Sequence, residues 1–160
     1  MAGRELSGVQ YADAGIFRGA NYIVTPTAAN TEAAIKACEE LGRTLGFARI
    51  SRLSPEKHDE MIAFLSQLTH CIAVSLMTCN DADHIGTYTG DSFRDLTRIA
   101  RINGDMWSEL FLLNKEELLR QIGLFTTQLD ALKTAIENDD TDTLKEMMRL
   151  STERRAFFDK

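Results

Sequence analysis

The 160-residue sequence carries 18 Lys and Arg against 24 Asp and Glu, which gives a formal net charge of −6 at pH 7. That balance argues against non-specific binding to nucleic acid or to anionic lipid. A hydrophobic content of 44% and a charged content of 26% are ordinary for a globular protein of one domain, or of one and a part.

The N-terminal third is predicted to form a βαβ unit. Residues 1–19 lack periodicity, and short strands at 21–25 and 47–50 flank a helix that runs from about Asn30 to a stop at Gly42. Two parallel strands do not make a stable sheet alone, so residues 1–52 are predicted to be the C-terminal remnant of a nucleotide-binding domain. The sequence is then expected to be part of a longer protein; the alternative is a small complete α+β protein.

The stretch 61–80 contains no Asp, Glu, Lys or Arg. Ser54 is a good N-cap in front of it, and Pro55 suits the first helical position. A helix without a charged face is buried on all sides or spans a membrane, and the polar residues in this stretch favour the buried core. Because one small domain can hardly cover such a helix, we predict a homodimer. On a helical wheel the larger apolar side chains share one face and small ones the other: Met61, Ile62, Leu65, Leu68, Ile72 and Leu76 against Ala63, Ser66, His70, Ala73, Val74 and Met77.

Residues 53–160 are predicted to be all helical. A short helix at 92–101 is followed by one capped by Asp105, and then by a long helix capped by Asn114. The break at 139–141 precedes a final helix. The long helix carries a seam of apolar residues spaced four and three apart, which is typical of packing on another helix: Leu118, Ile122, Phe125, Leu129, Leu132 and Ile136.

Three arginines, Arg94, Arg98 and Arg101, are predicted to form a cationic stripe on one short helix. A planar guanidinium suits bidentate binding of a carboxylate or phosphate. The alternative is a solvated face paired with nearby acids: Asp91, Asp95 and Glu109.

His70 lies one helical turn after Ser66, and the pair could orient a polar substrate group; alternatively, His70 is a satisfied core residue. No metal site is predicted, because His58 and His70 would lie ~18 Å apart and no HExxH or CxxC motif occurs. The three cysteines are predicted to be reduced, buried thiols. With no signal peptide in sight, we expect a cytoplasmic location and no membrane partner.

Five stretches, in this order and spacing, resemble the prephenate/arogenate dehydrogenase family: MAGRELSG at 1–8, SPEKHD at 54–59, SQLTH at 66–70, FRDLTRIA at 93–100 and MW at 106–107. The resemblance covers nearly the whole chain. It implies an enzyme of tyrosine biosynthesis with an N-terminal Rossmann domain and a C-terminal helical domain through which it dimerises. The implied reaction is the NAD- or NADP-dependent oxidative decarboxylation of prephenate, a small dicarboxylate, to 4-hydroxyphenylpyruvate, without a metal.

The same resemblance implies the roles of individual residues. Arg98 matches the arginine that binds a substrate carboxylate, Arg94 and Asp95 match a charged pair at the pocket mouth, and four further residues match the pocket lining: His70, Ser66, Trp107 and Glu5. The family's catalytic histidine would precede Met1, and the cofactor would be bound mainly by the missing N-terminal domain. This chain alone is therefore expected to be inactive. Many members have other residues at four of its positions: Gln67, Thr69, Asp91 and Ser92.

Two other functions stay open on the sequence. The chain could be a stand-alone helical dimerisation or regulatory module without catalysis. It could also be the helical half of another two-domain NAD(P) reductase.

Overall fold

A computed structural model of the chain describes residues 8–81 and 85–158, so Glu5 and most of the first family stretch lie outside the described residues. The described part is mainly α, preceded by a small α/β unit, as predicted. Its elements in chain order are β1 (Asn21–Val24), α1 (Glu32–Thr44), β2 (Arg49–Arg52), α2 (Pro55–Ile62), α3 (Leu68–Thr78), α4 (Asp91–Thr97), α5 (Gly104–Leu113), α6 (Lys115–Glu137) and α7 (Thr141–Arg155).

The predicted βαβ unit is present, but its second strand lies at 49–52 and not at 47–50. β1 and β2 pair in parallel, with Asn21 opposite Arg49. Between them, the Thr31 side chain caps α1 by accepting a hydrogen bond from the backbone N–H of Ala34. The two strands are the whole of the sheet in the described chain.

Gly42 does not stop α1, which is a correction to the prediction. It lies inside the helix and is buried, and the helix continues to Thr44. A Cβ atom on Gly42 would lie 2.7 Å from Cδ1 of Tyr22 on β1, so the glycine is needed for close packing of the helix on the strand. Gly46, with a φ of 83°, makes the turn that follows.

We expect Gly42→Ala to lower the free energy of unfolding by about 1–3 kcal/mol, because the added methyl group overpacks the contact with Tyr22. Gly123→Ala is the matched control: it also replaces a glycine within a helix, but its Cβ meets nothing within 4 Å. It should stabilise by about 0.5–1 kcal/mol. Urea unfolding of both variants checks this, and equal effects of the same sign would contradict it.

A single continuous helix, Pro55–Thr78, forms the central rod of the structure. It begins as predicted, with the Ser54 side chain accepting from the N–H of Lys57 and Pro55 in the first turn. Between α2 and α3 the helix makes one π turn, Ala63–Gln67, in which the N–H of Leu68 donates to the carbonyl of Ala63, five residues back. The sequence analysis did not predict this wider turn.

The rod is only partly covered by the rest of its own chain. Its buried residues are Ala63, Gln67, Leu68 and Ala73, which come from both faces of the predicted wheel, while Phe64 and Leu65 are 49% and 51% exposed. The single chain therefore does not bury the rod on all sides, and the prediction assigned the remaining cover to a second copy of the chain.

By length and composition alone, the rod is the one helix among the described residues that could cross a membrane, and 22% of its most apolar window is buried. Core helices of soluble proteins pass the same test, so the finding is weak support for a membrane span.

The chain divides into two compact units, Met1–Leu118 and Leu119–Lys160. In the first unit, α4 and the 3₁₀ turn Arg98–Ala100 pack against α3. The cap of α5 is Asn103, whose side chain accepts from the N–H of Met106, and not Asp105 as predicted.

The second unit holds the remainder of α6, together with α7 and the turn that joins them. The predicted break at 139–141 is present: Asp139 has a φ of 53°, and Asp140 caps α7 by accepting from the N–H of Thr143. That hydrogen bond lowers the pKa of Asp140.

The cysteines differ from the prediction of buried thiols. All three are free, but Cys38 on α1 and Cys79 at the end of α3 are exposed. Only Cys71 is partly covered, and burial raises the pKa of its thiol.

Candidate functional site

The structure brings together two residues that the family resemblance singled out, His70 on α3 and Trp107 on α5. Their rings stack with centroids 3.7 Å apart and an angle of 28° between the planes. Phe111, one turn further along α5, lies 5.5 Å from the Trp107 ring. Both His70 and Trp107 are half-buried, so the stack can be reached from solvent.

His70 is oriented by the backbone of the rod. Its Nδ1 lies 2.8 Å from the carbonyl oxygen of Ser66, which also accepts a hydrogen bond of 2.7 Å from the hydroxyl of Thr69. Because a carbonyl oxygen only accepts, Nδ1 of His70 must carry the hydrogen. Neutral His70 therefore has its lone pair on Nε2, where it can accept from a ligand hydroxyl, and protonated His70 can donate there to a carboxylate.

Gln67, the last residue of the π turn, is held inside the protein. It is 4% exposed, its Nε2 donates to the carbonyl of Leu110 at 2.8 Å, and its Oε1 accepts from Nδ2 of Asn114 at 2.9 Å. Asn114 Nδ2 also lies 2.9 Å from the carbonyl of Asp59. The sequence analysis missed this network; the one available signal was a lone glutamine in the uncharged stretch 61–80.

Arg98 lies in the 3₁₀ turn that packs against α3, the helix that carries His70. Its side chain is exposed. The predicted arginine stripe is wrong in its geometry, because α4 ends at Thr97 and Arg101 follows the turn in extended backbone. The three arginines therefore do not share the face of one regular helix.

Arg94 and Asp95 are both exposed on α4. Arg94 Nη1 lies 3.7 Å from a carboxylate oxygen of Asp91, which is one of the pairings that the solvated-face alternative expected. An ion pair this exposed contributes little to stability.

Two clefts in the described chain do not fit a nucleotide or a dianion. One of about 280 Å³ at β1 and α1 has no charged residue in its lining, from Tyr22 to Cys38, so it offers no cation to a diphosphate. The sequence also has no GxGxxG loop. The other, of about 470 Å³, carries four acids and one lysine: Glu56, Asp59, Glu116, Glu117 and Lys115. Its charge would repel a dicarboxylate.

Comparison with known proteins gives the chain its relatives. Residues 54–150 match the family model described as "Prephenate dehydrogenase, dimerization domain". The chain is 30% identical over 151 residues to the prephenate dehydrogenase of Bacillus subtilis (strain 168), covering 90% of this chain and 40% of that protein. It is 32% identical over 161 residues to the cyclohexadienyl dehydrogenase of Zymomonas mobilis, covering 97% and 55%. The chain thus spans about half the length of the relatives it matches.

Solved structures with a similar fold are also prephenate or arogenate dehydrogenases. Prephenate dehydrogenase from A. aeolicus, in complex with hydroxyphenyl propionate and NAD+, superposes with a TM-score of 0.89 at 30% identity. The match covers 99% of this chain and 57% of that one. Synechocystis arogenate dehydrogenase superposes with a TM-score of 0.84 over 99% of this chain and 59% of that one, and its 22% identity supports the shared fold alone.

Proposed function

The chain belongs to the prephenate dehydrogenase family, and from that premise we propose that it is the substrate-binding and dimerisation part of an NAD(P)-dependent prephenate or arogenate dehydrogenase. The proposed reaction is the oxidative decarboxylation of prephenate to 4-hydroxyphenylpyruvate, or the matching reaction of arogenate, in tyrosine biosynthesis. We place the enzyme in the cytoplasm, where soluble biosynthetic enzymes of this kind work.

One observation carries the proposal: Trp107 of α5 stacks on His70 of α3, and the turn that contains Arg98 packs against α3 as well. An indole ring is a flat apolar surface that suits a six-membered carbon ring. An imidazole with its proton on Nδ1 offers a hydrogen-bond acceptor beside that surface. An arginine nearby supplies the charge that a carboxylate needs.

In the proposed enzyme this chain binds and orients the substrate. Arg98 binds one carboxylate, His70 and Ser66 bind polar groups of the ring, and Trp107 packs on the ring. Arg94 and Asp95 lie at the mouth of the pocket, and Glu5, which lies outside the described residues, is proposed to line it. The nicotinamide cofactor, NAD or NADP, would supply the hydride acceptor. The described residues do not fit its diphosphate, so we assign its binding mainly to a nucleotide-binding domain outside this chain.

The chain's apolar surface supports a homodimer. Along the seam of α6, Leu118 is buried, whereas Leu129 and Ile136 are 51% and 58% exposed. On the rod, the side chains of Phe64 and Leu65 are exposed to a similar extent. Single exposed apolar residues are normal, but a seam at helical spacing is typical of an interface. We propose that a second copy of the chain covers these surfaces.

An activity assay of the longer protein that contains this chain tests the proposal. We expect oxidation of prephenate or arogenate with NAD or NADP, followed as nicotinamide absorbance, with one pairing strongly preferred. The 160-residue chain alone, assayed in parallel, should not reduce either cofactor. Absence of turnover of both substrates by the longer protein would favour a module without catalysis or the helical half of another reductase.

A further inference from the structure

We propose that Gln67 is a positioning residue: its side-chain amide sets the register of α5 against the central rod, and thereby holds Trp107 face to face with His70. This goes beyond the proposed function, and only its consequence for substrate binding rests on that function.

The geometry places two contacts at neighbouring levels of the same pair of helices. Gln67 precedes His70 by three residues on the rod, and its contact, Leu110, follows Trp107 by three residues on α5. The higher residue number on the rod thus pairs with the lower residue number on α5, as expected for two antiparallel helices. The hydrogen bond and the ring stack therefore fix the same register from two adjacent turns.

Burial makes the amide of Gln67 a strong constraint. A slide of α5 along its axis by ~1.5 Å, the rise of one residue, would stretch the 2.8 Å bond to the carbonyl of Leu110 to the limit of hydrogen-bond length and misalign it. At 4% exposure, Gln67 could not replace the lost bond with water. Leaving such a buried polar group unsatisfied is more costly than the bond itself is favourable, so other registers are disfavoured.

Asn114 holds the other side of the Gln67 amide. Its Nδ2 donates to Gln67 Oε1 and also lies within hydrogen-bond distance of the carbonyl of Asp59 on α2. The glutamine is thus fixed between the rod, the middle of α5 and the residue that follows α5. Within the part of the chain that the structure describes, α5 has no extended close backbone packing with another element. Side-chain contacts such as these must therefore position it.

Trp107 is the sole tryptophan of the sequence, so its fluorescence reports on the stack directly. We compare the 160-residue wild-type chain with Gln67→Met, which keeps the volume but removes both hydrogen bonds of the amide. His70→Ala, which removes the stacking ring, serves as the reference. Gln67→Met should shift the emission to the red and increase acrylamide quenching, each by at least half the change seen in His70→Ala.

Gln121→Met is the matched control, because Gln121 is also a buried glutamine, 6% exposed, but is not one of the residues that hold Gln67 or form the ring stack. It should leave the emission of Trp107 unchanged, with far-UV circular dichroism confirming that each variant is folded. A smaller change in Gln67→Met than half the reference, or an equal change in Gln121→Met, overturns the proposal. If Gln67→Met does not fold, Asn114→Ala, which removes the partner of Gln67 Oε1 together with the contact to the carbonyl of Asp59, decides by the same criterion.

In the longer protein, Gln67→Met should raise KM for the substrate roughly 3- to 10-fold, or about 0.6–1.4 kcal/mol of binding free energy, because Trp107 is no longer held in place, and change kcat less. The two proposals fail separately. A wild-type protein without dehydrogenase activity overturns the proposed function, while the fluorescence result still decides the role of Gln67.

Discussion

Arg98→Ala in the longer protein is expected to lower kcat/KM for its substrate roughly 10- to 150-fold, mainly through a higher KM. The proposed guanidinium–carboxylate contact is a charge-assisted hydrogen bond, and the loss of such a bond costs about 1.5–3 kcal/mol. Binding that is lost equally from the ground state and the transition state appears in KM and not in kcat. Steady-state kinetics at several substrate concentrations measure this effect.

Arg101→Ala is the control for this experiment, since Arg101 is also exposed but follows the turn that packs against α3. Its KM should stay close to that of the wild type. Arg98→Lys should recover only part of the loss, because an ammonium group cannot form the bidentate pair. A KM in Arg98→Ala equal to the wild-type value would remove Arg98 from the proposed site.

The second large effect is expected at the seam of α6. Leu129→Asp should weaken the proposed homodimer by roughly two to four orders of magnitude. Burying one leucine is worth about 1.5–3 kcal/mol, and a two-fold interface contains the residue twice. The measurement is molar mass by sedimentation over a range of protein concentrations.

Ala131→Asp introduces the same charge on the same helix, on the side away from the seam, where Ala131 is exposed. This variant should keep the mass of the wild type. A wild-type chain that stays monomeric at every concentration would contradict the dimer. Equal weakening by both substitutions would place the interface elsewhere on the chain.

The elements that the sequence predicted well are those set by local chemistry. Ser54 and Pro55 mark the start of the rod, the break at 139–141 precedes α7, and the alternation of strand and helix predicts the βαβ unit. A cap or a proline acts through its own few neighbours along the chain, so reading the sequence finds it.

The features that the sequence missed depend on distant contacts. The sequence predicts a helix stop at Gly42, but the glycine instead lets α1 pack closely on Tyr22, which lies 20 residues earlier. The π turn changes the phase of the rod, so a wheel drawn for a regular helix could not show which face is covered. The prediction of an arginine stripe on one helix was wrong because α4 ends one residue before Arg98.

For the site, the residue pattern singled out His70 and Arg98 and the family resemblance added Trp107, but periodicity could not have paired them. Nothing in the spacing of residues 70 and 107 says that their rings meet at 3.7 Å. The partners of Gln67 are 43 and 47 residues away. Such contacts follow from how the helices pack, and that is decided by the whole core at once.

The uneven exposure of the three thiols has a practical consequence. Cys38 and Cys79 are open to an alkylating dye, whereas burial favours the unreactive protonated form of Cys71. Maleimide labels therefore attach first at one point on α1 and one at the end of α3, without any engineered cysteine. Distances from each label to the indole of Trp107 can then be followed by energy transfer while ligands are added.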